Sequence, residues 1–292
     1  MTSQDALAIM QLLFNSQIGV EMNQVISFSG GRTSAYMTLE VLKIYPDAEV
    51  IYMDTGAEHP MTYEFIRNVS SILPRAITCL RCLPSDKFRG APSFEVVSVD
   101  DIYHDLTGWI RMLRKYGNPY QGGPFCTNRM KTKPFEKYCE KKYGKGNYQR
   151  WIGIRADEPK RLRPADGFSY LADISDFEKQ DIIDFWCDMP FDLGIDEHLG
   201  NCVFCIKKSD LKLALACKDE PELAKLFIDT ISEHNKKESS SDMYRGRRSL
   251  GDIIQMFPQS RDEIAARVRG AKSFDTGSCS ESCEVFSIEE SV

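Results

Sequence analysis

No stretch of this 292-residue sequence approaches the length of a membrane-spanning apolar run, and its polar start, MTSQDA, has neither the basic nor the apolar part of a secretory signal. Those absences lead us to expect a cytoplasmic protein with no membrane partner. The Gly-Lys-Ser/Thr ending of ordinary P-loop NTPases is missing, as is the GxGxxG dinucleotide fingerprint, which disfavours both P-loop NTPases and Rossmann dehydrogenases. Histidine is scarce at 4 residues, and no Ser-His-Asp arrangement emerges. His59 is expected to line a ligand edge, whereas His104, His198 and His234 have no recognisable partner. Positive charge is not in excess either: 37 Lys and Arg against 43 Asp and Glu give a net charge of −6, which argues against duplex DNA as an obligatory partner. Local clusters such as RMKTK (129–133) and RGRR (245–248) still offer contacts to phosphates. No internal repeat is visible.

What is present is ordinary globular composition, 42% hydrophobic and 27% charged, in a chain long enough to bury a substantial core. Residues 4–15 have the spacing of an amphipathic helix. QVISFS (24–29), EVIYMDTG (49–56), FEVVSVD (94–100) and YQRWIGIRADE (148–158) read as strands, with helices over 34–45 and 62–73. This alternation predicts an α/β fold, a parallel sheet covered by helices on both faces, Rossmann-like in outline. From about residue 173 the pattern turns mainly helical, so the expected division is a nucleotide-type α/β domain over 1–172 and a helical, cysteine-bearing region over 173–292. YGNPYQGGPFC (116–126) reads as a loop, and HNKKESSSDMYRGRRS (234–249) as an exposed linker.

The segment SFSGGRTS (27–34) has the form of an anion cradle. A strand ends at Ser29, Gly30 and Gly31 let the backbone turn tightly with its amides inward, and a helix begins near Thr33 or Ser34 with its positive end toward the same cavity. Ser27, Ser29, Arg32, Thr33 and Ser34 add side-chain donors. The alternative is a plain Gly-Gly turn joining a strand to a capped helix.

SGGRTS after a strand resembles the modified phosphate loop (PP-loop) of the adenine-nucleotide alpha hydrolase superfamily. YMDTGAEHPMTYEF (52–65) is similar to the Asp-Thr-Gly and Pro-x-Thr-Tyr-x-Phe segments of its phosphoadenosine phosphosulfate (PAPS) reductase family, and IGIRADEPKRL (152–162) to that family's Gly-Ile-Arg segment. The resemblance spans residues 25–162 and implies an adenine-nucleotide site comprising the cradle, Asp54, Thr55, Gly56, Gly153, Arg155 and Arg161. Asp54 and Thr55 would contact ribose, adenine or a nucleotide-bound metal, with helix capping as the alternative. Arg155 and Arg161 offer planar forks for phosphate or sulfate oxygens. Pyrophosphatase members of the superfamily commonly carry Asp where this chain has Thr33.

Ten cysteines in a chain with no export signal are expected to be reduced. Cys202 and Cys205 have the two-residue spacing that lets two thiolates meet one metal or cluster. GPFCTNRMKTKP, with Cys126 and Lys131, resembles the Cys and Lys-x-x-Pro segment of cluster-bearing members of the family. The resemblance therefore implies a [4Fe-4S] cluster on Cys126, Cys202, Cys205 and Cys283, with Cys279 an alternative fourth ligand and a structural zinc site the alternative occupant. Cluster-bearing reductases show adjacent cysteines where this chain has Cys126-Thr127. Cys79 and Cys82 are read as packing residues, and Cys139, Cys187 and Cys217 as small buried hydrophobes.

Three functions follow. One is a PAPS reductase-like enzyme acting on PAPS or APS, with Cys279 as nucleophile, Lys131 in the catalytic machinery and a thiol or electron-donor protein as partner. The second is an ATP pyrophosphatase-type sulfurtransferase, taking ATP with Mg²⁺ and thiolating a nucleobase or DNA. The third is a non-catalytic nucleotide sensor with a structural metal site.

Overall fold

The computed structural model describes residues 22–87, 90–118, 125–234 and 248–270. The helix expected over 4–15, most of the 234–249 linker, and Cys279 and Cys283 lie outside them.

Six strands form one sheet in the order β4-β3-β2-β1-β5-β6. They are β1 (Asn23–Phe28), β2 (Glu49–Asp54), β3 (Thr78–Leu83), β4 (Ser93–Val97), β5 (Tyr148–Ile152) and β6 (Phe168–Tyr170). All neighbours are parallel except β3 and β4. Every residue of β2 is buried, as a central strand covered on both faces must be. Successive side chains point to opposite faces: Ile26 and Tyr52 join the cluster under one layer of helices, and Val25 and Ile51 the cluster under the other.

Helices α1 (Arg32–Ile44), α2 (Pro60–Ile72) and α5 (Lys179–Cys187) cover the first face. Its centre is aromatic: Trp186, wholly buried, packs edge-on against Phe65 with 4.9 Å between ring centroids. On the second face α4 (Lys133–Tyr143) buries Phe135 and Cys139. A third apolar cluster lies around α3 (Thr107–Tyr116), α6 (Asp210–Asp219), α7 (Pro221–His234) and α8 (Leu250–Met256), and α9 (Arg261–Gly270) packs on α6. The expected α/β architecture with a helical C-terminal part is what the chain adopts.

The sheet departs from expectation in places. Residues 78–83 form a full strand that the sequence pattern conceals, because the charged Arg81 sits mid-run. The apolar run 93–97 is an antiparallel edge strand, not another parallel one. The strand expected over 148–158 ends at Ile152, and the short β6 follows it.

Chain direction fixes where a ligand goes. The chain leaves β1 for β2 and β3 on one side and later returns to β5 and β6 on the other, so the strand order reverses at β1. A crevice opens at the carboxyl ends of the strands at such a reversal, and both the loop after β1 and the loop after β5 reach it.

Candidate active site

The loop after β1 is Ser29-Gly30-Gly31. Gly30 has φ +82°, a conformation open to glycine at no cost, and a Cβ there would come within 3.0 Å of Ile66 and 3.2 Å of Thr62. The turn is closed by hydroxyls. The Ser29 amide donates to Ser34 Oγ (3.1 Å), the two serine oxygens are 2.8 Å apart, and Ser34 donates to the Gly31 carbonyl (3.0 Å). Gly31 is the N-cap of α1 and supplies no side-chain cap, so the first-turn amides keep their capacity for an anion. They open on a cleft walled by Gly30, Gly31, Arg32 and Thr62 on one side and Leu193, Asp196, Glu197 and Gly200 on the other.

Arg32 is tied to the opposite wall. Its Nε and a terminal nitrogen each donate to Asp192 at 2.6 Å, and its carbonyl accepts from Trp186 Nε1 at 2.9 Å. The helical part of the chain thereby fixes the cradle.

The loop after β2 carries Asp54, Thr55 and Gly56. Asp54 is fully buried, accepts twice from Arg81 (2.8 and 2.6 Å), and also accepts from the Gly56 amide and the Tyr63 hydroxyl. Burial raises its carboxyl despite Arg81, and Arg81 is in turn held above its usual value by Asp54 against its own burial. Asp54 is thus occupied in joining β2 to β3. Gly56 has φ +72°, and a Cβ there would stand 2.6 Å from Asp105 Oδ1. Thr55 points to the cysteines: its Oγ1 lies 3.6 Å from Cys202 Sγ and 3.2 Å from Glu58 Oε1.

Cys202 and Cys205 are each 7% exposed, on a loop that pairs with the Asp-Thr-Gly loop through a Glu58–Cys202 bridge and a bond from the Val203 amide to the Ala57 carbonyl (3.1 Å). Asn201, at φ +59°, turns the chain into this loop. Lys208 holds the loop from within, its ammonium donating to the carbonyls of His198, Cys202 and Val203 at 2.7–3.0 Å. Cys126 packs against the same apolar cluster as Cys202 and Cys205. It opens a π-helix, Cys126–Thr132. The i→i+5 register of that helix distributes its side chains over faces other than those an α-helix would give, and Lys131 lies five residues after Cys126. Lys131 is buried with its ammonium 3.5 Å from Glu58 Oε1.

Two comparisons bear on this geometry. Residues 23–170 match the phosphoadenosine phosphosulfate reductase domain, which covers β1 to β6 and every nucleotide motif above. The chain belongs to the phosphoadenosine phosphosulfate reductase family. It is also 48% identical over 278 residues to the uncharacterized nin region protein ORF290 of Escherichia phage lambda, covering 91% of this chain and 96% of that protein. Membership in the reductase family carries a family-level function of binding a nucleotide or sulfonucleotide. No helix among the described residues is long and apolar enough to cross a membrane.

The family's Gly-Ile-Arg segment follows β5. A Cβ on Gly153 would meet Ser34 Cα at 3.2 Å, so this glycine lets the segment press against the start of α1. Arg155 then donates to Thr33 Oγ1 (3.1 Å) and Asp157 Oδ1 (2.8 Å), and Arg161 pairs with Glu158. Arg155 therefore braces the cradle from behind while Asp157 takes up its charge. Ser27 lies in β1 below the loop.

Other cysteines and histidines sort themselves by contact. Cys79, Cys82, Cys139 and Cys217 are buried, with thiols pushed up to about 12 by desolvation, which makes them inert packing groups. Cys187, expected to be buried, is exposed at the end of α5. His59 caps α2 through the Met61 amide and meets Glu220 at 3.0 Å, so it serves a helix end instead of a ligand edge. His104 and His198, expected to lack partners, meet the Glu58 carbonyl (2.7 Å) and Asp219 (2.6 Å). Among the described residues, Asp196, His198 and Asp219 are the group of three metal-competent side chains whose donor atoms all lie within 4.8 Å. Arg261 already bonds Asp219 (2.7 Å) and lies 3.6 Å from Asp196, so this group is an ion-pair network that docks α9.

The Arg32–Asp192 latch gives a pH prediction. Burial alone would raise the Asp192 carboxyl, but its bonds to Arg32 hold it below the usual range. A carboxyl depressed in the fold contributes stability that is complete above its unfolded pKa, about 3.9, and is lost as pH falls through the folded value. Asp192→Asn should lower the melting temperature at pH 7 by roughly 2–4 °C, as expected for a partly exposed pair worth about 1 kcal/mol, and this difference should shrink as pH falls below about 3.9 toward the depressed folded value. Thermal melts of both proteins across pH 3–7 check it; a difference that does not shrink in acid contradicts it.

Proposed function

We propose that this chain is an enzyme that binds an adenine nucleotide, PAPS or APS or ATP, in the cleft at Ser29–Ser34 and carries out sulfur chemistry beside a [4Fe-4S] cluster. The observation that carries this is the 3.6 Å approach of Thr55 Oγ1 to Cys202 Sγ, which brings the nucleotide motif and the cysteine motif into direct contact. Lys131 joins them through Glu58.

The residues present suit a cluster. Cys126, Cys202 and Cys205 share one apolar cluster, and the buried Lys208 ammonium lies within the Cys202 loop, where it offsets thiolate charge. Four-coordinate zinc gathers its thiolates about one metal atom, with Zn–S about 2.3 Å, whereas a cubane spreads its thiolates over separate iron atoms. Cys283 would be the fourth ligand, which leaves Cys279 for the chemistry; were Cys279 the fourth ligand instead, it would not serve as nucleophile. When bound, the cluster supplies positive iron and tunable redox character next to the substrate.

The protein's own groups do the rest. The first-turn amides of α1 hold the phosphate chain, Thr55 orients the ligand toward the cysteines, and the Lys131 ammonium stabilises negative charge developing between them. On PAPS, the Cys279 thiolate attacks the sulfonate sulfur, the bond from sulfur to the phosphate oxygen breaks, and the nucleotide bisphosphate leaves. A donor thiol then attacks Cys279 Sγ, which releases sulfite and leaves a mixed disulfide. Thr127, standing beside Cys126 in place of a second cysteine, favours the other chemistry: an acceptor oxygen of a nucleobase or DNA attacks the α-phosphorus of ATP, pyrophosphate leaves with Mg²⁺, and a sulfide-level sulfur donor then attacks the activated atom and displaces AMP together with that oxygen.

Anaerobically purified protein incubated separately with ATP and with PAPS plus a thiol decides between them. Sulfite from PAPS supports the reductase and pyrophosphate from ATP the sulfurtransferase. A nucleotide that stabilises the protein by about 2.7 kcal/mol at a hundredfold excess over Kd, yet yields neither product, leaves a sensor. Absence of any nucleotide-induced stabilisation overturns the proposal.

A further inference from the structure

Thr62, in the first turn of α2, lines the same cleft as Gly30 and Gly31. It is 4% exposed, and its hydroxyl oxygen is sealed from solvent without a hydrogen-bond partner. A helical threonine ordinarily bonds back to the carbonyl three or four residues earlier. Here both are engaged: the His59 carbonyl accepts the amide of Thr62 itself at 2.8 Å, and the Glu58 carbonyl is held by His104 at 2.7 Å. Each carbonyl keeps a second lone pair, yet neither takes up the Thr62 hydroxyl.

A buried polar group without a partner is a cost to the fold, and valine would fill the same volume without it. The methyl of Thr62 abuts the phosphate loop, since a Cβ on Gly30 would lie 3.2 Å from its Cγ2. A rotation of about 120° about χ1 would bring Oγ1 to the place Cγ2 now holds, against the loop.

We propose that Thr62 is a ligand-binding residue whose hydroxyl donates to a phosphate-class oxyanion seated on Gly30 and Gly31. The inference rests on the nucleotide site described above and adds to its backbone donors a side-chain donor from another helix. It gives the site a signature in which stability and affinity move in opposite directions.

Calorimetric titration of wild type, Thr62→Val and Thr62→Ser with ATP, PAPS and inorganic pyrophosphate, beside melts of the unliganded proteins, tests it. Thr62→Val should melt about 2 °C higher than wild type without ligand and bind each ligand that wild type binds about tenfold more weakly, the loss expected for a hydrogen bond to a charged group. Thr62→Ser should restore the affinity. A lower unliganded melting temperature, or affinity unchanged in Thr62→Val, overturns the inference. If wild type binds pyrophosphate but neither nucleotide, the nucleotide reading falls while weaker pyrophosphate binding by Thr62→Val upholds the hydroxyl's role. If wild type binds none of the three, both fall.

Discussion

Cys202→Ser protein, purified without oxygen, is expected to be colourless and almost free of iron and acid-labile sulfide, and the wild type, on the proposed cluster, to be brown. The loop itself should survive the substitution, because its shape rests on main-chain bonds that do not involve sulfur. The Val203 amide still bonds Ala57, the Cys205 amide still reaches the carbonyl of residue 202, and Lys208 still gathers three carbonyls. Loss of colour therefore reports on ligation and not on unfolding, and a melting curve of the variant would show a single cooperative transition. Cys217→Ser is the control: this cysteine belongs to the same apolar cluster, but desolvation holds its thiol at about 12, and the colour should be unchanged. A Cys202→Ser protein as brown as wild type removes Cys202 from the ligand set. A colourless wild type with stoichiometric zinc replaces the cluster by a structural metal.

What the sequence disclosed of this site follows the range of the forces involved. The Ser-Gly-Gly loop is a local signal, a short run in which backbone freedom and donor chemistry coincide, so it is legible from the residues alone; the Asp-Thr-Gly loop and the Gly-Ile-Arg segment are legible through their resemblance to the phosphoadenosine phosphosulfate reductase family. Asp54 looked like a ligand because its partner, Arg81, lies 27 residues away in a strand whose apolar alternation that arginine interrupts. The same buried ion pair hid both β3 and the occupation of Asp54. Arg32 likewise reads as available in the sequence because its partner Asp192, which accepts from its Nε and one terminal nitrogen, lies 160 residues on. The π-helix had no signature, since an i→i+5 register changes which side chains share a face without changing composition. Glu58 stood inside a quoted motif, yet its value comes from the Cys202 loop brought against it, a contact that no local pattern encodes.

Glu58 and Lys131 carry the second large effect. Their side chains are 2% and 5% exposed, and Nζ lies 3.5 Å from Oε1. Removing one member of a buried pair leaves the other charge desolvated, which costs about 3–5 kcal/mol, whereas removing both is often close to neutral. Lys131→Met should therefore lower the melting temperature by roughly 6–20 °C. Glu58→Gln, which keeps an acceptor for Thr55 but removes the carboxylate charge beside the ammonium, should also destabilise. The double variant Lys131→Met/Glu58→Gln should recover most of the loss, with a coupling of about 0.5–3 kcal/mol in a double-mutant cycle by denaturant unfolding. Simple additivity would mean that the two charges do not depend on each other. The cycle also separates support from chemistry. If Lys131 only balanced Glu58, the rescued double variant would regain product formation along with its stability. If its ammonium meets charge developing on the nucleotide's reacting group, the double variant melts like wild type and yet releases neither sulfite nor pyrophosphate at more than a small fraction of the wild-type rate.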